Sequence, residues 1–189
     1  IGLSVHIPKL SIDFMKFLEK LSKSKNIKYN FFTGTKKDAH IGLEDIMDNY
    51  NLNYELLYWF ENFDDYINAK QDVRFYIDSY YYGGYTSVFE GMLLGIPVVV
   101  FERDHVANRQ AAYIVKKLGF PELVVNTEEE LFNLCLKLMN DNEFYIETLL
   151  KLREIDWDEF ISSIPFKDSL HKSLQKLEDE IDGVVKNII

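Results

Sequence analysis

Apolar and polar positions along the chain up to Met139 follow two periods in turn, short runs of strand length separated by stretches with helical spacing. Gly2-Leu3-Ser4-Val5-His6-Ile7 reads as a strand, Ser11 to Leu21 as an amphipathic helix capped by Ser11, and Ile27-Lys28-Tyr29-Asn30-Phe31-Phe32 as a second strand. After the polar turn Thr33-Gly34-Thr35-Lys36-Lys37, the pattern predicts a helix at about 42–49, a strand from Tyr54 to Phe60, a short helix at about 63–69 and an aromatic strand from Val73 to Asp78. A glycine turn opening a helix, the strand Val98-Val99-Val100-Phe101, a helix from Ala107 to Leu118, the segment Leu123-Val124-Val125 and a helix from Thr127 to Met139 continue the series. Such alternation predicts an α/β fold, a Rossmann-like doubly wound parallel sheet, over residues 1–150. The remainder, 151–189, reads as a C-terminal helical extension in which Leu170, Leu174, Leu177, Ile181, Val184 and Ile188 form one apolar stripe. That stripe either covers the chain's own sheet or, through residues 166–189, an N-terminal lobe or a second copy of the chain.

Gly83-Gly84-Tyr85-Thr86-Ser87-Val88-Phe89-Glu90 sits where a strand gives way to a helix, the edge at which open α/β sheets bind ligands. Glycines there are expected to take positive φ and to let backbone approach a ligand closely, while Thr86 and Ser87 lie among the unpaired N–H groups of the first helical turn. An anion fits such a place, favoured by about 0.3 to 1 kcal/mol from the helix dipole and by hydroxyl hydrogen bonds. Glu90 falls one turn further along the same face, where a carboxylate can accept from vicinal sugar hydroxyls. Phosphate at the tip and ribose one turn inward is the spacing of a nucleotide. The plainer reading makes Thr86 or Ser87 an N-cap and Glu90 a solvated helical acid.

Composition limits what else the chain can do. With 189 residues, 47% apolar and 15% aromatic, it has the material for one compact domain that buries about 70% of its unfolded surface. Its 31 acidic against 21 basic residues give a net charge of −10, which disfavours nucleic acid and anionic membranes as partners and makes any phosphate site a local feature. Cys135 is alone, so no internal disulfide forms, and its place in a leucine-rich helical stretch predicts a buried position and a reducing, cytoplasmic setting. No apolar run approaches the roughly 20 residues of a membrane span. The chain opens on Ile1 inside a strand pattern, which suggests a piece of something longer.

Ordered matches from Ile77 to Asn142 resemble the C-terminal lobe of GT-B glycosyltransferases of the O-GlcNAc transferase type, including the bacterial protein N-glycosyltransferases. Asp78-Ser79 resembles the family's Asp-Thr or Asn-Pro, Gly84-Tyr85-Thr86-Ser87 its Gly-His-Thr-Thr, and Gly95-Ile96-Pro97-Val98-Val99 its Gly-x-Pro-x-Val. Ala107-Asn108-Arg109-Gln110-Ala111-Ala112 and Leu118-Gly119-Phe120-Pro121-Glu122-Leu123-Val124 are similar to two further stretches downstream. The resemblance implies that Gly84, Tyr85, Thr86 and Ser87 hold the diphosphate of a nucleotide sugar and that Glu90 holds its ribose. His6-Ile7-Pro8-Lys9 is similar to a Gln-x-x-Lys, which implies a diphosphate contact from His6 and makes Lys9 the electrophilic charge on the leaving group. By the same resemblance the donor is UDP-linked, no metal or other cofactor takes part, transfer inverts the anomeric centre and the acceptor is a protein. Two departures stand out. Tyr85 stands where the family usually has His or Asn, and its phenol cannot become a cation near neutral pH; Glu61-Asn62-Phe63-Asp64-Asp65 follows Trp59-Phe60 where the family tends to place a lysine. Backbone groups of Phe60 to Asn62 could still pair with a uracil edge.

Rival readings are a UDP-sugar epimerase on the same two-lobe fold and a degenerate lobe that serves as an interaction module. His6, His40, His105 and His171 show no paired metal-ligand spacing, Gly83-Gly84 makes neither a Walker loop nor a dinucleotide fingerprint, and Ser87 lacks the glycines of a nucleophile elbow. Tyr80-Tyr81-Tyr82 reads either as the lining of a sugar or protein groove or, more commonly for aromatics at a strand end, as packing, and Arg109 as facing either phosphate or a nearby acid.

Overall fold

The computed structural model of the chain describes residues 1–5, 7–37 and 41–162. Its strands are β1 (Gly2–Ser4), β2 (Lys28–Phe32), β3 (Asn53–Leu57), β4 (Tyr76–Ile77), β5 (Val98–Phe101) and β6 (Val124–Val125). Helices α1 (Ile12–Ser24), α2 (Leu43–Asn49), α3 (Phe63–Gln71), α4 (Tyr85–Leu93), α5 (Val106–Lys117), α6 (Glu128–Asn140) and α7 (Asn142–Arg153) alternate with them or follow. All strand pairs are parallel, in the order β3-β2-β1-β4-β5-β6, with Leu3 beside Phe31, Tyr76 beside Val98 and Val100 beside Val124. The α/β class and the doubly wound parallel sheet read from the sequence are those observed. A parallel sheet covered on both faces needs near-continuous apolar strands, and β5, Val-Val-Val-Phe, is buried at every position.

Local chemistry sets the helix starts. The Ser11 side chain accepts from the Phe14 N–H at 3.2 Å, so the predicted cap holds, and α1 then buries Phe14, Met15, Phe17, Leu18 and Leu21. At roughly 1.5–3 kcal/mol for each large apolar side chain removed from water, this face fixes α1 against the sheet. Thr127 and Glu130 form a reciprocal capping box at the start of α6, and Cys135 on that helix is buried, as its apolar surroundings predicted. Tyr80, just past β4, packs on Phe14 at 5.0 Å, Phe17 at 5.7 Å and Phe101 at 4.9 Å between ring centres, so the first of the three consecutive tyrosines belongs to the core.

The compact unit runs from Ile1 to Glu154. Beyond it lies the short helix α8 (Trp157–Ser162), whose Glu159 N–H donates to Asp156. The apolar stripe from Leu170 to Ile188 lies outside the described residues, as does His6. Among the described residues no helix is long and apolar enough to cross a membrane.

Three predicted strands are shorter in the structure. The first stops at Ser4 and gives way to a 3-10 turn at Ile7–Lys9; the third stops at Leu57, leaving Tyr58, Trp59 and Phe60 to line a cavity; β4 pairs only at Tyr76 and Ile77. In the first two the apolar run continues past the end of strand pairing, with Val5 buried and Tyr58, Trp59 and Phe60 at the cavity; at β4 the remainder of the run, Val73 to Phe75, lies ahead of the paired residues, and Phe75 is buried. The strand order places the reversal between β1 and β4, so the carboxyl ends of these two strands diverge and open a crevice, the usual ligand position of such sheets.

Candidate active site

The crevice is a cleft of about 580 Å³ lined by Ser4, Lys9, Tyr66, Lys70, residues 82–87 and Glu90 among others. Lys9, Gly84, Tyr85, Thr86, Ser87 and Glu90, all singled out from the sequence, meet there. A second cavity of about 390 Å³ adjoins it, sharing Phe32, Gly34 and Tyr66 and walled by Leu57, Tyr58, Trp59, Phe60 and Phe63.

Gly84 is the N-cap of α4, which makes Tyr85, Thr86 and Ser87 the first three helical residues; neither hydroxyl residue is the cap. The N–H groups of that turn therefore receive no side-chain cap from Gly84. The expectation of positive φ at the two glycines is corrected: Gly84 has φ −92°, and the glycines with positive φ lie elsewhere, among them Gly95 (φ 76°) at the exit of α4. Space is what a side chain at 84 would lack while Ser87 keeps its present rotamer. A Cβ there would stand 1.9 Å from Ser87 Oγ and 3.4 Å from both Asp78 Oδ1 and Lys9 Nζ. Tyr85 is 52% exposed at the rim, and Thr86 is exposed as well.

Asp78, at the end of β4, lies beneath this turn. It is 6% exposed; Oδ1 accepts from the Gly84 N–H at 2.8 Å, while Oδ2 is buried with no hydrogen-bond partner. Burial pushes its carboxyl up from 3.8 to about 7, partly offset by the Gly84 N–H and by the Lys9 ammonium. Lys9 is half-buried, and desolvation holds its pKa below the usual lysine range against the pull of Asp78. Its Nζ stands 5.8 Å from the Tyr82 ring centre.

One turn inward the arrangement is tighter. Glu90, with its side chain 27% exposed, is not the solvated acid of the plainer reading: its Oε2 pairs with Lys70 Nζ at 3.2 Å, and the Tyr66 hydroxyl lies 2.9 and 2.8 Å from its two oxygens as donor. Lys70 is 1% exposed and also donates to Ser4 Oγ at 2.9 Å. Ring centres of Tyr76, Phe32 and Tyr66 stand 4.8, 4.9 and 5.5 Å from its Nζ. Desolvation lowers the Lys70 pKa, opposed first by the charge of Glu90 and then by their hydrogen bond. The Tyr66 hydroxyl is shifted upward by its own burial and by Glu90. Tyr66 and Lys70 are four residues apart and so share one face of α3, the i, i+4 spacing being the only local signal that would have brought them forward.

Asn62 caps α3 by accepting from the Asp64 N–H at 2.8 Å, so the acids at 64 and 65 occupy the first turn of that helix, where its dipole favours them. Arg109 pairs with Asp104 at 2.9 Å on the exposed surface and is not among the cleft residues. Among the described residues no group of three or more His, Cys, Asp or Glu is placed to hold a metal ion.

No family model matches the chain. It is similar in sequence to a Hordeum vulgare protein named "Probable UDP-N-acetylglucosamine--peptide N-acetylglucosaminyltransferase SPINDLY", with 29% identity over 91 residues that make up 48% of this chain and 10% of the barley protein. Among solved structures it is similar to a lysine-to-methionine mutant of the O-GlcNAc transferase of Thermobaculum terrenum, at a TM-score of 0.73 and 20% identity, over 94% of this chain and 34% of that one. The chain thus spans a minor part of either relative. In fold over nearly its whole length, and in sequence over just under half of it, the chain is similar to proteins of the O-GlcNAc transferase and SPINDLY group.

Proposed function

We propose that this lobe binds a nucleotide sugar, UDP-linked, as the donor half of an inverting, metal-independent glycosyltransferase that acts on protein. The observation that carries the reading is the order of features along one crevice. Free helical N–H groups with Thr86, Ser87 and Lys9 come first, then the Glu90 carboxylate one turn inward, then an aromatic cavity that adjoins at Tyr66. This matches the order pyrophosphate, pentose, base. Thr86 and Ser87 would hold the diphosphate by hydroxyl and backbone N–H groups at the positive end of α4. Lys9 would neutralise the charge that builds on the departing nucleoside diphosphate, a role in which one preorganised group contributes about 100- to 1,000-fold in rate. A carboxylate offers about four lone-pair positions. Tyr66 and Lys70 do not use all of those on Glu90, and its partial exposure leaves an edge toward the cleft for a pentose diol. The names of both relatives support sugar transfer, and the barley protein's name supports UDP-N-acetylglucosamine and peptide in particular.

Calorimetric titration of the chain with UDP, GDP and the corresponding nucleotide sugars tests this. Saturable binding of UDP or a UDP-sugar, with GDP weaker, is the expected result; no heat at millimolar nucleotide overturns it and favours the interaction-module alternative. Binding without turnover on any peptide supports a donor lobe that needs a second lobe for acceptor.

A further inference from the structure

Among the described residues Lys70 is the least exposed charged side chain, and nothing in the proposed chemistry requires it to touch a ligand. At 1% exposure its ammonium is enclosed by Ser4 Oγ, Glu90 Oε2 and three aromatic rings. The Tyr76 hydroxyl in turn donates to the Lys70 carbonyl at 2.9 Å, which fixes the end of α3 to β4. A lysine so placed is expensive to desolvate, and a methionine of similar length would fill the same slot without that penalty. Its partner is therefore the place to look for its purpose. Glu90 is the acid that faces the cleft one helical turn from the exposed N–H groups of α4. In a chain of net charge −10, a lone carboxylate there would repel any diphosphate held at Thr86 and Ser87.

We propose that Lys70 is a positioning residue that cancels the charge of Glu90 and pins its carboxylate, so that one cleft accepts both a diphosphate and a neutral diol at adjacent places. This rests on the nucleotide reading given above. Tyr66 contributes to the pinning, since its hydroxyl meets both Glu90 oxygens and the carboxylate, held from two sides, presents a fixed edge. The inference separates the two parts of a nucleotide. Without Lys70, the repulsion acts on the phosphates and hardly on the nucleoside.

The test compares UDP with uridine on the wild-type chain, on Lys70→Met and on the double variant Lys70→Met with Glu90→Gln, each checked for folding by thermal melting. A wild-type chain that binds neither ligand defeats the nucleotide reading itself. Given wild-type UDP binding, Lys70→Met is expected to weaken UDP by about tenfold or more while uridine changes by less than about threefold, and the double variant restores the wild-type ratio of UDP to uridine affinity, whatever loss both ligands share from Glu90. In Lys70→Met, parallel losses of UDP and uridine, or no loss of either, overturn the assignment. Should Lys70→Met alone fail to fold, the double variant buries no lone charge and decides the matter. In it a ratio of UDP to uridine affinity within about threefold of wild type supports charge cancellation, and a UDP loss more than about threefold beyond that of uridine overturns it.

Discussion

The two ends of the cleft carry the same pair of charges turned inside out. At the inner end the buried member is Lys70 and the acid, Glu90, faces the cleft; at the outer end the buried member is Asp78 and the cation, Lys9, lines the cleft. They differ in how far each pair is satisfied. Lys70 and Glu90 meet at 3.2 Å with Ser4 and Tyr66 completing their hydrogen bonds, whereas Asp78 keeps one buried oxygen without a partner, and no Lys9–Asp78 ion pair is among the described contacts. A closed pair suits a neutral ligand, which needs a fixed acceptor and brings no charge of its own. An open pair suits an anion, which competes with Asp78 for Lys9.

The largest expected effect comes from breaking the closed pair. Glu90→Ala leaves the Lys70 ammonium buried without a counter-charge, and loss of one partner of a buried pair costs about 3 kcal/mol or more. Asp78→Asn at the open end strands nothing comparable: its Oδ1 keeps the Gly84 N–H, and the variant is expected to be as stable as the wild type at neutral pH or more so. Chemical denaturation of both variants measures the contrast directly. Equal losses would show that the two pairs are equally committed to the fold.

Ligand binding sharpens the contrast next. Thr86→Val is expected to weaken UDP by about 1–3 kcal/mol through loss of a hydroxyl donor to charged oxygen, with uridine nearly unchanged, as read by calorimetry. A uridine loss of the same size would move the phosphates away from α4.

The open pair should also be visible in the pH dependence of stability. Asp78 holds its proton to about pH 7 when folded and only to about 3.8 when exposed, so the folded state binds more protons between those values. Stability from this group is fully present below about pH 3.8 and is lost as pH rises through about 7. Melting temperatures of wild type minus those of Asp78→Asn, taken from pH 4.5 to 8, should therefore fall with rising pH. The subtraction removes the titration of other groups, and a flat difference would place a charged Asp78 in the fold throughout.

The α4 wall of the cleft is legible in the sequence because it is local. Residues 83 to 90 lie within one turn and one helix, so spacing alone brings hydroxyls and acid to one face. Even there the reason for Gly84 differs: the sequence suggests positive φ, while in the structure a Cβ would collide with the Ser87 hydroxyl. The alternation of apolar periods likewise announces the parallel sheet, since only buried strands read as Val-Val-Val-Phe. The buried partners of Glu90 are not legible. Lys70, followed by Gln71 and Asp72, looks like any solvated lysine at a helix end, and its partners come from positions 4, 32, 66, 76 and 90. Only the fold brings these together, so composition and spacing point away from a buried cation.

Arg109 supplies the smallest expected effect and marks the cleft's boundary. It lies beside Gln110, which lines the cleft, yet its guanidinium turns to Asp104 at 2.9 Å with both side chains largely in water. Exposed pairs of this kind contribute about 0–1 kcal/mol, because solvent and salt screen the attraction and two long side chains lose freedom. Arg109→Ala is thus expected to shift the denaturation midpoint by less than about 0.5 kcal/mol equivalent and to leave UDP affinity unchanged. A clear loss of UDP with unchanged stability would mean that the arginine leaves Asp104 for the phosphates when ligand arrives. The outer end would then hold two cations in place of Lys9 alone, and its open pairing with Asp78 would have a second, exposed counterpart in Arg109 and Asp104.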